Sequence, residues 1–274
     1  LLALGDLVNE LQNFEIPIYL ADSVLWPERK GQMMVLRPEG KYIEVQTSVG
    51  PFFVPKIWVK ENELQEKIFG YKRLISKAAP LIENMVEKEY SVAQAMEQFK
   101  KEGLVFPPHE DIVSNFYKQI LDLEKQHKNG IWARFLKNTF APMIAGEKKF
   151  DFVVGNPPWI RWDFLASEYR EVTKHLWKDY GLFSLKGYAQ MLGGAKPDFS
   201  MLFVYVSSDY YLKDGAKLGF LITQEVFKAK GAGEGFRRFQ LGDKSYLKIL
   251  KAHDLVSIQP YEGATNKTAA IILK

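Results

Sequence analysis

The run Phe150-Asp-Phe-Val-Val-Gly-Asn-Pro-Pro-Trp159 restricts the fold of this chain more than any other segment. Its apolar residues fit a short β-strand. Gly155 closes that strand, and Pro157 and Pro158 cannot extend it, because neither has an N–H to give to a ladder. The strand must therefore stop at one place, and the next residues are displayed at its carboxyl end. Those residues are a carboxamide (Asn156), two ring-fixed residues and an indole (Trp159). Such a tip can accept hydrogen bonds from a planar, amino-bearing group and stack on its face. The plainer reading is a proline-rich turn that closes a strand and binds nothing.

The half of the chain that follows alternates strand and helix. A helix is expected over residues 164–178, and a Gly- and Lys-containing loop over 181–197. Asp198 stands at an N-cap position before an apolar helix from Phe199 to Leu212, stopped by Asp214-Gly215. Residues 218–223 (Leu-Gly-Phe-Leu-Ile-Thr) read as a buried strand, and Gly235-Phe-Arg-Arg-Phe239 as the start of a helix. Residues 256–258 and 269–273 read as closing strands. This order predicts an α/β sheet of largely parallel strands. Functional side chains then belong at the carboxyl ends of the strands, where Asn156 stands.

The half before it differs in character. Residues 16–20 (Ile-Pro-Ile-Tyr-Leu) read as a strand leading to Asp22-Ser23. Residues 42–54 suggest a hairpin turning at Gly50-Pro51. From about residue 61 to 126 the spacing is helical, with a break at Pro80, a second helix to about Lys101 and a third from about Glu110. A further helix over 131–140 is expected to end near Pro142. Lys72, Arg73 and Lys77 read as a solvated face, with phosphate contact the sharper alternative.

Composition narrows the chemistry. The 274 residues are 47% hydrophobic and contain no cysteine, which excludes disulfides and thiolate metal sites. His109, His127, His175 and His253 lack ligand spacing, so no metal role is expected. The net charge of +4 suits a nucleic-acid partner without requiring one. No run of 18 apolar residues suggests a membrane span, and a cytoplasmic location is expected.

Taken together, the motifs resemble the N6-adenine DNA methyltransferases of restriction–modification and phage-defence systems. Residues 150–159 are similar to that family's catalytic motif. Residues 196–203, 215–223, 235–239 and 261–273 resemble the motifs that follow it, in the family's order, and residues 18–23 resemble one that contacts the cofactor's adenine. The resemblance implies a partial Rossmann-like methyltransferase sheet with a mainly helical insertion. Residues 1–26 would be part of the core, 27–130 a hairpin plus helical insertion, and 131–274 the catalytic half. It also implies S-adenosyl-L-methionine as cofactor and double-stranded DNA with a flipped adenine as substrate, with a fused or separate nuclease or specificity unit as a further partner.

By the same resemblance, Asn156, Pro157, Pro158 and Trp159 are catalytic, Asp22 binds cofactor, and Trp159 and Tyr261 hold the base. The family's glycine-turn motif for the methionine part of the cofactor would precede Leu1. The chain is therefore expected to be a piece of a longer protein, inactive by itself. Gly231-Ala-Gly-Glu-Gly235 is no substitute, since seven residues part it from the preceding strand, and a cofactor turn follows its strand directly.

Other readings stay open at this point. The same tip serves methylation of a glutamine amide in a protein, or of guanine N2 in RNA. A reading of another class is a catalytically incomplete nucleic-acid-binding module. Asp22 reads equally well as a strand-end turn residue. Tyr261 reads equally well as a surface tyrosine, and Asp198 as a helix cap alone.

Overall fold

The computed structural model describes residues 21–25, 34–35, 41–47, 50–59, 74–107, 109–127, 131–183, 197–228, 232–242, 245–258 and 266–274. The expected strand at 16–20 and Tyr261 lie outside them.

The first region builds around a three-stranded antiparallel sheet, β1 (Met34–Val35), β2 (Tyr42–Thr47) and β3 (Gly50–Pro55). Gly50 and Pro51 lie within β3, paired with Thr47 and Gln46, so both belong to the strand rather than to the expected turn. A short helix α1 (Lys56–Val59) follows, then α2 (Ile75–Glu87), α3 (Val92–Lys101) and α4 (Glu110–His127). Aromatic residues tie these together. Trp58 meets Phe99 and Phe116 at ring-centroid distances of 5.4 and 5.3 Å, and Phe116 meets Phe52 at 5.3 Å. Trp58 is fully buried, and its indole N–H is satisfied by the Leu104 carbonyl at 2.8 Å. That bond removes the penalty of leaving a buried donor unpaired, about 1–3 kcal/mol.

Two helix limits depart from the sequence reading. Pro80 does not break its helix but lies inside α2. The break comes instead before Ser91, whose hydroxyl accepts from the Gln94 N–H while the Gln94 side chain accepts from the Ser91 N–H. This capping box starts a new helix wherever it occurs. Helix α5 (Ile131–Lys148) likewise runs through Pro142. Tertiary packing sustains both proline-containing helices, since α2 and α5 lie against each other with Ile75, Ala79, Ile82, Phe140 and Met143 buried.

The second region is a four-stranded sheet in the order β4-β5-β9-β8. Strand β4 (Phe150–Gly155) pairs parallel with β5 (Leu212–Thr223). Between them run α6 (Ser167–Asp179), α7 (Phe199–Val206) and a π turn over Ser207–Tyr211. Helices α8 (Glu225–Lys228) and α9 (Ala232–Phe236) follow, then the small hairpin β6 (Gln240–Leu241) and β7 (Ser245–Tyr246). Strands β8 (Ile249–Asp254) and β9 (Thr268–Leu273) close the sheet, and β9 is antiparallel to both its neighbours. The sheet is therefore mixed, where a largely parallel one was expected. The reversal is confined to β9, since β4 and β5 remain parallel.

Three further expectations are corrected. Residues 256–258 form a turn, and the strand lies earlier, at β8. Gly235-Phe-Arg-Arg-Phe239 ends helix α9 rather than starting one, and Phe239 adopts a φ of 48° that no helix continues through. The apolar helix from Phe199 ends as α-helix at Val206, and β5 begins at Leu212, before the expected stop at Asp214-Gly215. Gly215, at φ 73°, absorbs a register shift in which Phe150 faces Leu212 but Phe152 faces Lys217.

Candidate functional site

Strand β4 delivers Asn156 to the sheet's carboxyl end beside the neighbouring β5. Gly155 sits opposite Phe220, and a Cβ there would come within 3.1 Å of the Phe220 ring, tighter than ordinary contact. The glycine lets the strand end close against that ring. Pro157 is buried, Asn156 and Pro158 are exposed, and Trp159 is half-buried.

The chain leaving the tip is held as firmly as the strand entering it. The Phe199 N–H donates to the Ile160 carbonyl at 2.7 Å, and the Trp162 N–H to the Pro197 carbonyl at 2.8 Å. These bonds form an antiparallel bridge between Arg161 and Asp198. Trp162 anchors that bridge against Trp177 and Phe183, at centroid distances of 5.3 and 5.2 Å. The indole N–H of Trp159 donates to the Leu221 carbonyl of β5 at 3.3 Å. A tip fixed at both ends costs little reorganisation when it meets a ligand.

Asp198 is the N-cap that the sequence predicts, and it also makes a second connection. Its Oδ1 accepts from the Ser200 N–H at 2.8 Å and from the Ser200 hydroxyl, while Oδ2 accepts from the Thr223 hydroxyl at 3.4 Å. Burial pushes the carboxyl's pKa up and Glu225 adds to the rise, against the lowering from the Ser200 and Thr223 donors. Asp198 thus joins helix α7, the exit from the tip and the end of β5.

Beside the tip lies a recess of about 300 Å³. Asn156, Pro157 and Pro158 line it on one side, and Phe203, Ser207 and Tyr211 on the other. Ser23 completes the wall from far away in sequence, its carbonyl accepting from the Tyr211 hydroxyl at 2.8 Å. The neighbouring Asp22 folds as an Asx turn, with Oδ1 accepting from the Val24 and Leu25 N–H groups at 2.8 and 3.0 Å. Its carboxylate also meets the Tyr169 hydroxyl, and burial first, then Asp22, raises the Tyr169 pKa. The structure therefore brings Asp22-Ser23 and Asn156 to one place. Trp159 stands outside the recess lining, over the end of β5, and Tyr261 is outside the described residues.

Sequence reasoning overlooked the far wall. Phe203, Ser207 and Tyr211 recur every four residues, so one helical face carries all three. That periodicity was available, but an apolar helix reads first as core. The π turn that ends this face, a geometry concentrated at functional sites, leaves no comparable mark in the sequence. Lys77 does not present a free cation, for it pairs with Glu102 at 2.7 Å, and Lys72 and Arg73 are outside the described residues. Among the described residues, no group of three or more His, Asp or Glu could hold a metal ion.

The comparisons with known proteins bear on this same region. Residues 56–256 match the family model described as Eco57I restriction-modification methylase. The chain belongs to that family. The matched stretch contains the tip, Asp198 and β5. Two Type II methyltransferases are similar over 102 residues at 31% identity. They are M.HincII of Haemophilus influenzae and M.HindII of the Rd strain of that species. The similarity covers 37% of this chain but only 18% and 17% of those relatives, so the chain matches under a fifth of their length.

Proposed function

We propose that the protein methylates the N6 amine of adenine in double-stranded DNA, with S-adenosyl-L-methionine as donor, in a restriction–modification or phage-defence system. The observation that carries this reading is the exposed Asn156 carboxamide on a rigid tip, at a parallel strand's carboxyl end and at the mouth of a recess. Family membership supports DNA over a protein amide or RNA guanine as the class of substrate.

The amine of adenine is a weak nucleophile because its lone pair is delocalised into the ring. The Asn156 Oδ1 and the Pro157 carbonyl accept its two hydrogens and localise that pair on nitrogen. Pro157 brings no N–H to compete, and its ring fixes the backbone. Both acceptors then stabilise the positive charge that builds on nitrogen, a preorganised electrostatic effect. Alignment supplies the rest of the acceleration. The base must leave the duplex, at a cost of a few kcal/mol. Trp159 gives it a face to stack on, contributing about 1–3 kcal/mol. Tyr261 is assigned to the opposite face.

The donor supplies an electrophilic methyl group on a sulfonium. Asp22 is suited to its adenine. A carboxylate offers several acceptor sites; the turn and Tyr169 orient this one, and it can accept from an amino N–H. Expression of the full-length protein that carries this chain, in a host lacking DNA methylation, followed by nucleoside mass spectrometry of the host's DNA, tests the reading. N6-methyladenine is the expected product. A methylated cytosine instead, or no methylated base, would refute it.

A further inference from the structure

The segment leaving the tip carries a feature that the proposed chemistry does not use. Residues 162–164 form one 3-10 turn, held by the bond from the Phe164 N–H to the Arg161 carbonyl at 2.9 Å and by the half-buried ring of Trp162, which packs against Trp177. Phe164 itself projects outward, with 72% of its surface exposed, and Ile160 is 41% exposed. A lone exposed apolar residue is ordinary. This one is different because it is held in place. The Arg161 guanidinium lies over the Phe164 ring, 4.8 Å from its centre. Asp163 in turn holds Arg161, accepting from its Nε at 3.0 Å and from a terminal nitrogen. The ring is therefore fixed in the open by a stack and an ion pair, on a turn rooted in the core.

An exposed aromatic fixed next to a base-accepting tip suits one task. When a base leaves a duplex, its neighbours lose their stacking partner, and an apolar side chain entering the gap recovers part of that loss. A ring already immobilised gives up little entropy on entry. We infer that Phe164, buttressed by Arg161 and flanked by Ile160, is the wedge that enters duplex DNA as the target base is extruded. The inference rests on the base-flipping methylation proposed above. The negative charges beside Arg161, Asp163 and Glu225, argue against a phosphate clamp at this point and for a buttress.

The test uses the site found by sequencing methylated plasmid DNA, built into two short duplexes. One is fully paired, and the other lacks the base opposite the target adenine, so that extrusion is already cheap. Phe164→Ala is expected to slow methyl transfer to the paired duplex about tenfold or more, on the cost of unstacking, and to leave transfer to the abasic duplex within about twofold of wild type. Phe164→Leu, which keeps an apolar wedge, is expected to restore most of the loss. With 2-aminopurine at the target, the fluorescence rise on binding should fall for Phe164→Ala alone. Equal rates for Phe164→Ala and wild type on the paired duplex would overturn the wedge, as would equal losses on both duplexes. Adenine methylation by the wild-type protein is the separate control. Its absence would sink the methylation reading, and the wedge with it, before any variant is compared.

Discussion

The indole N–H of Trp159 donates to the main-chain carbonyl of Leu221, so the aromatic residue that follows the two prolines is pinned to the neighbouring strand. The bond is long, at 3.3 Å, and contributes about 0.5–1.5 kcal/mol. It fixes the ring's orientation while leaving the ring half-exposed. Trp159→Phe should keep a stacking face and lose the anchor. Trp159→Ala should lose both, and weaken binding to DNA with a mismatched target base more than to undistorted duplex. Fluorescence anisotropy with the two duplexes measures the difference. Equal losses would assign Trp159 to packing.

Asp198 gives a pH dependence whose sign follows from its burial. Its pKa in the folded protein is raised above the ordinary 3.8. A carboxyl raised on folding binds its proton more tightly in the native state, so its favourable contribution is complete below 3.8 and is lost as pH rises through the folded value. Asp198→Asn keeps an acceptor for the Ser200 N–H and removes the ionisation. The stability of wild type relative to Asp198→Asn should therefore fall on going from pH 3.5 (about the lower edge of the titration) to neutrality. Denaturant melts of the two proteins at several pH values measure this. A difference constant with pH, or one that grows towards neutrality, would show that the carboxylate is held by more than the Ser200 and Thr223 donors.

Ser91 and Gln94 form a reciprocal cap at the start of helix α3. Ser91→Ala should cost about 1 kcal/mol, with no effect on DNA binding. A drop in the thermal midpoint of a few degrees checks this. Losses above about 3 kcal/mol would mean that Ser91 does more than cap, since caps rarely exceed 2.

Gly235 packs its α-carbon against the carbonyl of Gly181, which a Cβ would approach to 2.2 Å. Neither partner is a flexible side chain, so the main chain must move. Gly235→Ala should destabilise by about 1–3 kcal/mol. This contact is the physical reason for a glycine there. A neutral substitution, measured by denaturant unfolding, would contradict the packing.

The parts of the site that depend on local chemistry were legible in the sequence. Strand β4, its stop at Gly155 and the Asp198 cap each follow from a residue whose backbone or side chain permits little else. The capping box at Ser91 was legible too, but Pro80 drew the helix limit instead. What was not legible depends on distant partners. Pro80 and Pro142 stay inside helices because α2 and α5 pack on each other. The antiparallel insertion of β9 between β5 and β8 is a property of chain path, not of residue type. The meeting of Ser23 with Tyr211 joins residues 188 apart, which no local pattern announces.

The most direct test concerns Asn156. Its carboxamide is assigned to accept a hydrogen from the target amine, and the donor's adenine is assigned to Asp22. Asn156→Ala should lower kcat for methyl transfer to DNA about 100-fold or more, the scale of removing one preorganised transition-state partner. The affinity for S-adenosyl-L-methionine, measured by calorimetry, should stay within about threefold, since each tenfold change requires 1.4 kcal/mol of lost contact. Turnover within about twofold of wild type would contradict the role given to Asn156, because an effect on that scale is far below one lost acceptor.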